Sequence, residues 1–427
     1  MTMVHAASVE IDITPPIGGK MAGYGARTEV SRGIHDPLKA QVLQIQVRDS
    51  SALIVTMDLL AIQAQFSQKV RAAISRETGV AEARIMLTCS HTHSGPQGFN
   101  LDDVILQESP DENLQEITLR KLAGASRAVG GLLQPVTLSL GYADGGGAGL
   151  NRNDALYGLS DQQVTVLRVD DLNGKPIAVL YNYGCHPTVM GSDNLFISAD
   201  YPGAVRRCLS GVYPETVFQF ANGSAGDVST RFTRRSASFD EVERIGRIVA
   251  GAVLQAMNTA EPIEVDAIDD RWADVDLPLK EFPTIQEANE LIQSLRVELT
   301  EKQKANAPAA EMRKIVTKTE GAEILLQQIK QFEGVKSLPA RLQQLRIGPL
   351  SLVGVPGEPF SKTFLDIKER TRPKKIMLIG YANDCKGYFP ESAPGLPGTY
   401  ENFVSPFSIQ TALNIKDTII QMLKESK

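Results

Sequence analysis

Leu43, Ile45 and Val47 alternate with Gln44 and Gln46, the two-residue period of a strand with one face covered. Residues 52–57 are instead an unbroken apolar run, which suits a strand covered on both faces. The period then changes. Val70 and Ile74 stand four apart in a stretch that ends at Gly79, predicting a helix over 67–78 with glycine as its terminator. A β-prone run at 84–89 leads directly into SHTH at 90–93. Runs at 164–169 and 177–183 flank a DLNG turn at 171–174 and predict a hairpin whose second strand runs into His186. Three further runs, at 216–221, 350–355 and 375–381, open into NGSAGD (222–227), PGEP (356–359) and Asn383-Asp384. Histidines or polar groups thus recur at the carboxyl ends of strands, where a rigid scaffold holds its chemistry.

Between about 281 and 336 the composition shifts to Glu, Gln and Lys. Leu291, Leu295 and Leu299 share one helical face, as do Leu325, Ile329 and Phe332, and Pro308 separates the two halves. The pattern predicts a helical hairpin inserted into an α/β body. Its charges read as a solvated face, with a lid or partner surface as the sharper alternative. A last helix is expected at 407–423.

Charge and cysteine usage narrow the class. A net charge of −6 offers no long-range attraction to nucleic acid or to an anionic membrane, so neither is an expected partner. No stretch approaches the ~18 apolar residues of a membrane span. The first residues lack the basic and apolar regions of a signal peptide. Cys89, Cys185, Cys208 and Cys385 form no CxxC pair, which suits buried thiols in a reducing compartment. The expectation is a cytoplasmic enzyme without stable membrane insertion, with homo-oligomerisation left open.

Of the 5 histidines, His91, His93 and His186 fall in two strand-end loops. In an extended segment side chains two apart share a face, so His91 and His93 should point the same way. Imidazole is the commonest zinc ligand, and a hydrolytic site needs about three protein ligands plus an open position. Gly184 and Pro187 shape the turn around His186. Ser94-Gly95-Pro96 follows the pair rather than the DH of an HxHxDH motif, which disfavours a two-metal site of that kind. Core or surface histidines are the bland alternative. Asp58 closes a strand and reads either as a helix cap or as a partner for a histidine. Asp200, before Tyr201-Pro202, reads as a helix N-cap.

SHTHSGP at 90–96 resembles a segment of the neutral (alkaline, non-lysosomal) ceramidase family. ITPP (13–16), GIHDPL (33–38), Asn151-Arg152, GDVS (226–229), PGE (356–358) and Tyr400-Glu401 occur in the order that family has them. The resemblance implies a single ceramidase-like zinc hydrolase domain over 1–427: mixed β-sheets flanked by helices, with the helical hairpin inserted at about 281–336. It implies one Zn2+ held by His91, His186, Glu358 and Tyr388. Tyr388 is preferred to Tyr381 because it stands twelve residues before Tyr400, which resembles a family tyrosine. His93 is implied as general acid/base, Arg152 as the group that steadies the oxyanion or substrate, and Ser229 as a residue once proposed as nucleophile. Tyr400 is a further candidate for oxyanion or proton work, against a plain core role. Zinc lowers the pKa of bound water from about 15.7 toward ~7, so attack by zinc-bound hydroxide is expected, with His93 protonating the leaving nitrogen.

Two departures bear on substrate. CHPT (185–188) and ADYPG (199–203) replace family segments, and after the helix at 407–423 no room is left for the family's carboxy-terminal β-sandwich. A smaller or more polar N-acyl amide than ceramide is therefore the expected substrate. A zinc esterase or lactonase and a non-catalytic metal-binding protein are the rival readings.

Overall fold

A computed structural model describes residues 2–99, 111–391 and 399–425. Its larger sheet follows the path Val217–Asn222, Pro176–Tyr183, Gln163–Asp171, Gln134–Asp144, Val4–Asp12, Lys39–Val47, Ser50–Met57, Ile85–Cys89, with Glu261–Ile263 paired to Gln134–Asp144. The pairs at both ends are parallel and those between are antiparallel. A smaller sheet is ordered Ile268–Pro278, Ser337–Ile347, Leu350–Gly354, Lys375–Ile379. The fold is α/β with mixed sheets and helices, as the resemblance implies.

Alternation along the strands builds four layers. Leu53, Val55, Ile85 and Leu87 face the helices Ala64–Thr78 and Glu112–Gly130 through Phe66, Val70 and Leu122. Leu43, Ile45, Ile54 and Met86 face the other way, onto Leu345, Leu352 and Met377 of the smaller sheet. The far side of that sheet, with Leu342, Val353 and Leu378, is covered by Ser361–Arg370 and Ile409–Glu425. Full burial of each such Leu or Ile stabilises by roughly 1.5–3 kcal/mol.

The run at 52–57 is buried on both faces, as predicted. Lys39–Val47 is not the strand with one covered face that its glutamines suggest. Gln44 is buried, because the helix Glu112–Gly130 lies over its side, and its Nε2 sits 3.4 Å from Ser51 Oγ. The predicted helix at 67–78 begins earlier, at Ala64, and ends on Gly79, whose φ of 74° lets its N–H reach Ser75 O.

The helical segment forms as expected from Ile285–Lys304 and Ala309–Gln331, packed through Ile292, Leu295, Ile315 and Ala322. Thr284 and Glu287 make a reciprocal capping box at the first helix. The second helix also packs on the short helix Tyr400–Val404: a Cβ on Gly321 would lie 2.8 Å from Phe403 Cβ.

One stretch of chain stitches the two ends of the larger sheet together. Gly380 N–H donates to Asn222 O (2.9 Å), Cys89 N–H to Tyr381 O (3.3 Å) and Asn383 N–H to Leu87 O (2.8 Å). Asn222 Nδ2 also donates to Ser90 O (3.0 Å). The two parallel edge pairs therefore bring their carboxyl ends to one place. No helix among the described residues is long and apolar enough to cross a membrane.

Candidate metal centre

His91 follows the strand Ile85–Cys89 by two residues, and the chain has already left the extended conformation there. Its φ is 70°, in the left-handed region that non-glycine residues seldom adopt, and its N–H donates to Leu59 O at 2.9 Å. The convergence of His91 and His93 thus comes from a tight turn, not from strand alternation. The turn places His91 Nδ1 2.8 Å from Leu60 O. A carbonyl only accepts, so the proton sits on Nδ1 and Nε2 presents a lone pair. His186 repeats the device: its N–H donates to Val228 O (3.0 Å) and its Nδ1 to Ala225 O. His93 Nε2 lies 3.2 Å from His91 Nε2. Gly23, at φ 98°, makes room for the His93 ring, since a Cβ there would come within 2.5 Å of it.

Glu358 enters from the smaller sheet's side, with Glu358–Pro359 pairing in parallel with Tyr388–Phe389. Its Oε2 is 3.1 Å from His186 Nε2 and 3.5 Å from His91 Nε2, and accepts from Tyr381 OH at 3.2 Å. Tyr388 OH lies 3.4 Å from His186 Nε2. Tyr381 and Tyr388 therefore play different parts. Tyr381 is fully buried, stacks on His91 at 4.1 Å and holds the carboxylate, whereas Tyr388 borders the cavity.

The electrostatics are those of an electron-pair donor set. Burial drives the imidazole pKa values down, to about 3 for His91 and well below the ordinary value for His93 and His186, so all three are neutral at pH 7. Burial raises the Glu358 pKa, with His91 and Arg152 acting in the opposite sense. Two imidazole lone pairs and a carboxylate oxygen face one another, an arrangement that only a proton or a cation reconciles. The ligand atoms of His91, His93 and His186 lie within 4.8 Å of one another and could hold a metal ion. Neutral imidazoles with a carboxylate and a phenol oxygen suit a divalent transition metal such as zinc.

Arg152, its side chain largely covered, lies beside this set and borders the cavity. Its N–H donates to Asp227 O (2.8 Å), its Nη2 to Gly226 O (2.7 Å), and its Nε lies 2.5 Å from Glu401 Oε1. Its guanidinium stands 5.3 Å from the Tyr388 ring centre. Burial opposes its charge, but Glu401 and Tyr388 outweigh burial and raise its pKa.

Ser229 is buried, forms a backbone bridge with His186, and its Oγ accepts Arg231 N–H at 3.3 Å as the cap of the turn Thr230–Phe232. Among the described residues no hydrogen bond joins its hydroxyl to an imidazole or carboxylate. Tyr400 opens the short helix Tyr400–Val404, borders the cavity and has its ring centre 6.4 Å from that of Tyr388. Asp227 orients its loop, taking Asn151 Nδ2 (2.9 Å) and Ser361 N–H (2.8 Å). Asp200 caps the helix Tyr201–Val212 as predicted. Asp58 fits neither expectation: its Oδ2 takes Lys39 N–H (2.9 Å) and Arg206 Nη2 (2.8 Å), because half-buried Arg206 needs a counter-charge there.

A cavity of about 270 Å³ opens over His91, His93, Glu358 and Tyr388. Larger hollows of about 800 and 490 Å³ lie away from the histidines, so size alone does not find the chemistry. Val316, Thr317 and Glu320 of the inserted hairpin also border the cavity, and no sequence signal marks them. Nothing in the sequence marks the roles of Tyr381 and Glu401 either, although Glu401 stands next to Tyr400. Arg27, which donates to His93 O (2.9 Å) and Ala22 O (2.9 Å), also carries no sequence signal.

Comparison with known proteins relates part of the chain to one family. Residues 7–239 match the family described as neutral/alkaline non-lysosomal ceramidase, N-terminal. Glu358, Tyr388 and Tyr400 lie outside that segment. A neutral ceramidase of Pseudomonas aeruginosa is 27% identical over 292 residues, covering 61% of this chain and 43% of that protein. Neutral ceramidase B of Dictyostelium discoideum is 24% identical over 222 residues, covering 47% and 29%. The matched part is thus less than half the length of either curated relative. The crystal structure of the Pseudomonas aeruginosa neutral ceramidase superposes with a TM-score of 0.77 at 22% identity, over 99% of this chain and 74% of that one.

Proposed function

The chain belongs to the neutral/alkaline non-lysosomal ceramidase family, and from that premise we propose that it is a zinc-dependent hydrolase of N-acyl amides. The observation that carries the proposal is the convergence of neutral imidazoles on Glu358, next to a guanidinium kept charged by Glu401. His91, His186, Glu358 and Tyr388 would hold the ion. When bound, zinc supplies Lewis acidity and makes water a nucleophile near neutral pH.

The chain's own residues supply the rest. Arg152, fixed by Gly226 O and Glu401, stabilises negative charge developing on the scissile carbonyl oxygen, a contribution of about 3–4 kcal/mol for one such donor. His93 moves a proton to the leaving nitrogen, the step that matters most for an amide because an unprotonated amine leaves poorly. Its Nδ1 is buried against Gly23 without a hydrogen-bond partner among the described residues, so Nε2, 3.2 Å from His91 Nε2, is the edge that faces the site. Ser229 has a supporting part, since among the described residues its hydroxyl has no base, and it already caps the turn after it. Tyr400 is the second candidate for proton transfer. A cavity of about 270 Å³ favours a small or polar N-acyl amide over a long-chain lipid.

The test is a panel of N-acyl amides and matched esters, with released amine or alcohol as the readout, on protein whose metal content is measured. Amide turnover that tracks zinc supports the proposal. Turnover of esters only would make the protein an esterase on the same groups. Active protein without a transition metal would refute the zinc reading.

A further inference from the structure

The chain carries a net charge of −6, yet its cavity is bordered by Arg152, Arg231 and Arg234 against Glu358 and Glu320. Two of these groups already belong to the metal site, Arg152 paired with Glu401 and Glu358 set against the Nε2 atoms of His186 and His91. Arg234 differs. Its Nη1 donates to Thr188 O and to Val189 O (2.8 Å), two carbonyls just past His186. Carbonyls fix the guanidinium without neutralising it. Among the described residues Arg234 forms no ion pair, and its Nε and Nη2 make no hydrogen bond. A half-buried, anchored fork with donors to spare on the wall of a reaction cavity has the form of an anion receptor. Arg231 adds like charge at the mouth, which draws anions toward an otherwise acidic protein. An amide of uncharged lipid character offers these groups neutral acceptors only, and no charge to balance theirs.

We propose that the substrate is an amide bearing a free carboxylate, of the N-acyl amino acid class, and that Arg234 is the specificity-determining residue that reads the carboxylate. This rests on the amide-hydrolase reading and narrows it. A charge-assisted hydrogen bond is worth about 1.5–3 kcal/mol, which corresponds to roughly 10–100-fold in affinity.

The experiment compares N-hexanoylglycine with its uncharged analogue N-hexanoylglycinamide on zinc-loaded protein. Turnover is followed by released amine, and binding by calorimetry. The expected result is that kcat/KM or affinity favours the carboxylate by at least ~10-fold. In Arg234→Gln the ratio should collapse toward one, mainly through KM. Arg231→Gln should lower it less and flatten its salt dependence, and this variant serves if Arg234→Gln does not fold. A ratio near one in the parent protein, or one that survives both substitutions, overturns the inference while leaving amide hydrolysis intact. If neither amide is cleaved but calorimetry shows the Arg234-dependent preference, the anion receptor stands and the amide-hydrolase reading falls.

Discussion

Replacing Glu358 with Gln should stabilise the metal-free protein and weaken the metal-loaded one. In the wild type Glu358 Oε2 lies 3.1 and 3.5 Å from the Nε2 atoms of His186 and His91. Both rings donate through Nδ1, so these contacts bring acceptor to acceptor, and Tyr381 OH is the donor that remains. A glutamine amide in the same place donates to His186 Nε2, adding about 0.5–1.5 kcal/mol for the hydrogen bond. It also removes a buried charge. Burial raises the Glu358 pKa, so the ionised group destabilises the fold above its folded pKa, and the penalty vanishes below the unfolded value of about 4.3. The combined gain for Glu358→Gln at pH 7 is on the order of 1–3 kcal/mol in chelator. Zinc should reverse the order. At a thousandfold excess over its Kd it stabilises the wild type by about 4.1 kcal/mol, more than the variant gains in chelator, whereas the variant has lost a charged ligand. Urea unfolding with and without chelator reads both signs, as midpoint shifts at constant slope. A Glu358→Gln protein less stable than wild type in chelator would refute the lone-pair account of this site.

The other expectations concern proton traffic and charge. His91→Ala should purify zinc-depleted and inactive, whereas His93→Ala should keep its zinc and slow by roughly 10²–10⁴-fold; equal zinc loss in both would make His93 a ligand. Chelated protein should lose stability as pH falls below about 6.5, by roughly 1 kcal/mol per unit for each buried histidine, because the unfolded chain takes up protons that the folded imidazoles resist. His91 resists them down to about 3, and a flat unfolding profile between pH 6.5 and 5 in chelator contradicts the neutral imidazoles. Ser229→Ala should retain turnover, with no acyl adduct on the parent protein by mass spectrometry; a trapped adduct at Ser229 would reverse its assignment. Glu401→Gln leaves the Arg152 guanidinium buried without its counter-charge, so it should cost about 3–5 kcal/mol of stability, and a silent substitution would mean that Arg152 is reached by water.

The strand ends were legible because apolar runs stop where the sheet stops, and His91, His186 and Glu358 each follow such a run. The turn that aims His91 was not, since nothing in SHTH distinguishes an extended backbone from a left-handed one. Gln44 misled for a related reason: alternation reports side-chain polarity, and only the position of the helix Glu112–Gly130 decides what covers it. The inserted hairpin was readable as two helices from its leucine spacing. Its share in the cavity through Val316, Thr317 and Glu320 was not, because that depends on how the hairpin packs against Tyr400–Val404. The pairing of Arg152 with Glu401 was hidden likewise, as each residue looks ordinary in its own segment and only the fold joins them.

Tyr388 and His186, whose side chains meet, are 202 positions apart in the chain. An ion gripped by both, and by His91, would act as a covalent staple does, removing loop-closure entropy from the denatured ensemble. For closed loops near a hundred residues that effect is about 4.7 kcal/mol. It would also impose an order on biosynthesis. During vectorial translation the segment up to Ile263 carries all strands of the larger sheet and can fold as it emerges, but it has no complete pocket until Glu358 and Tyr388 have left the ribosome. Metal capture would then be among the last events of maturation, and an unfinished chain would be incapable of premature hydrolysis.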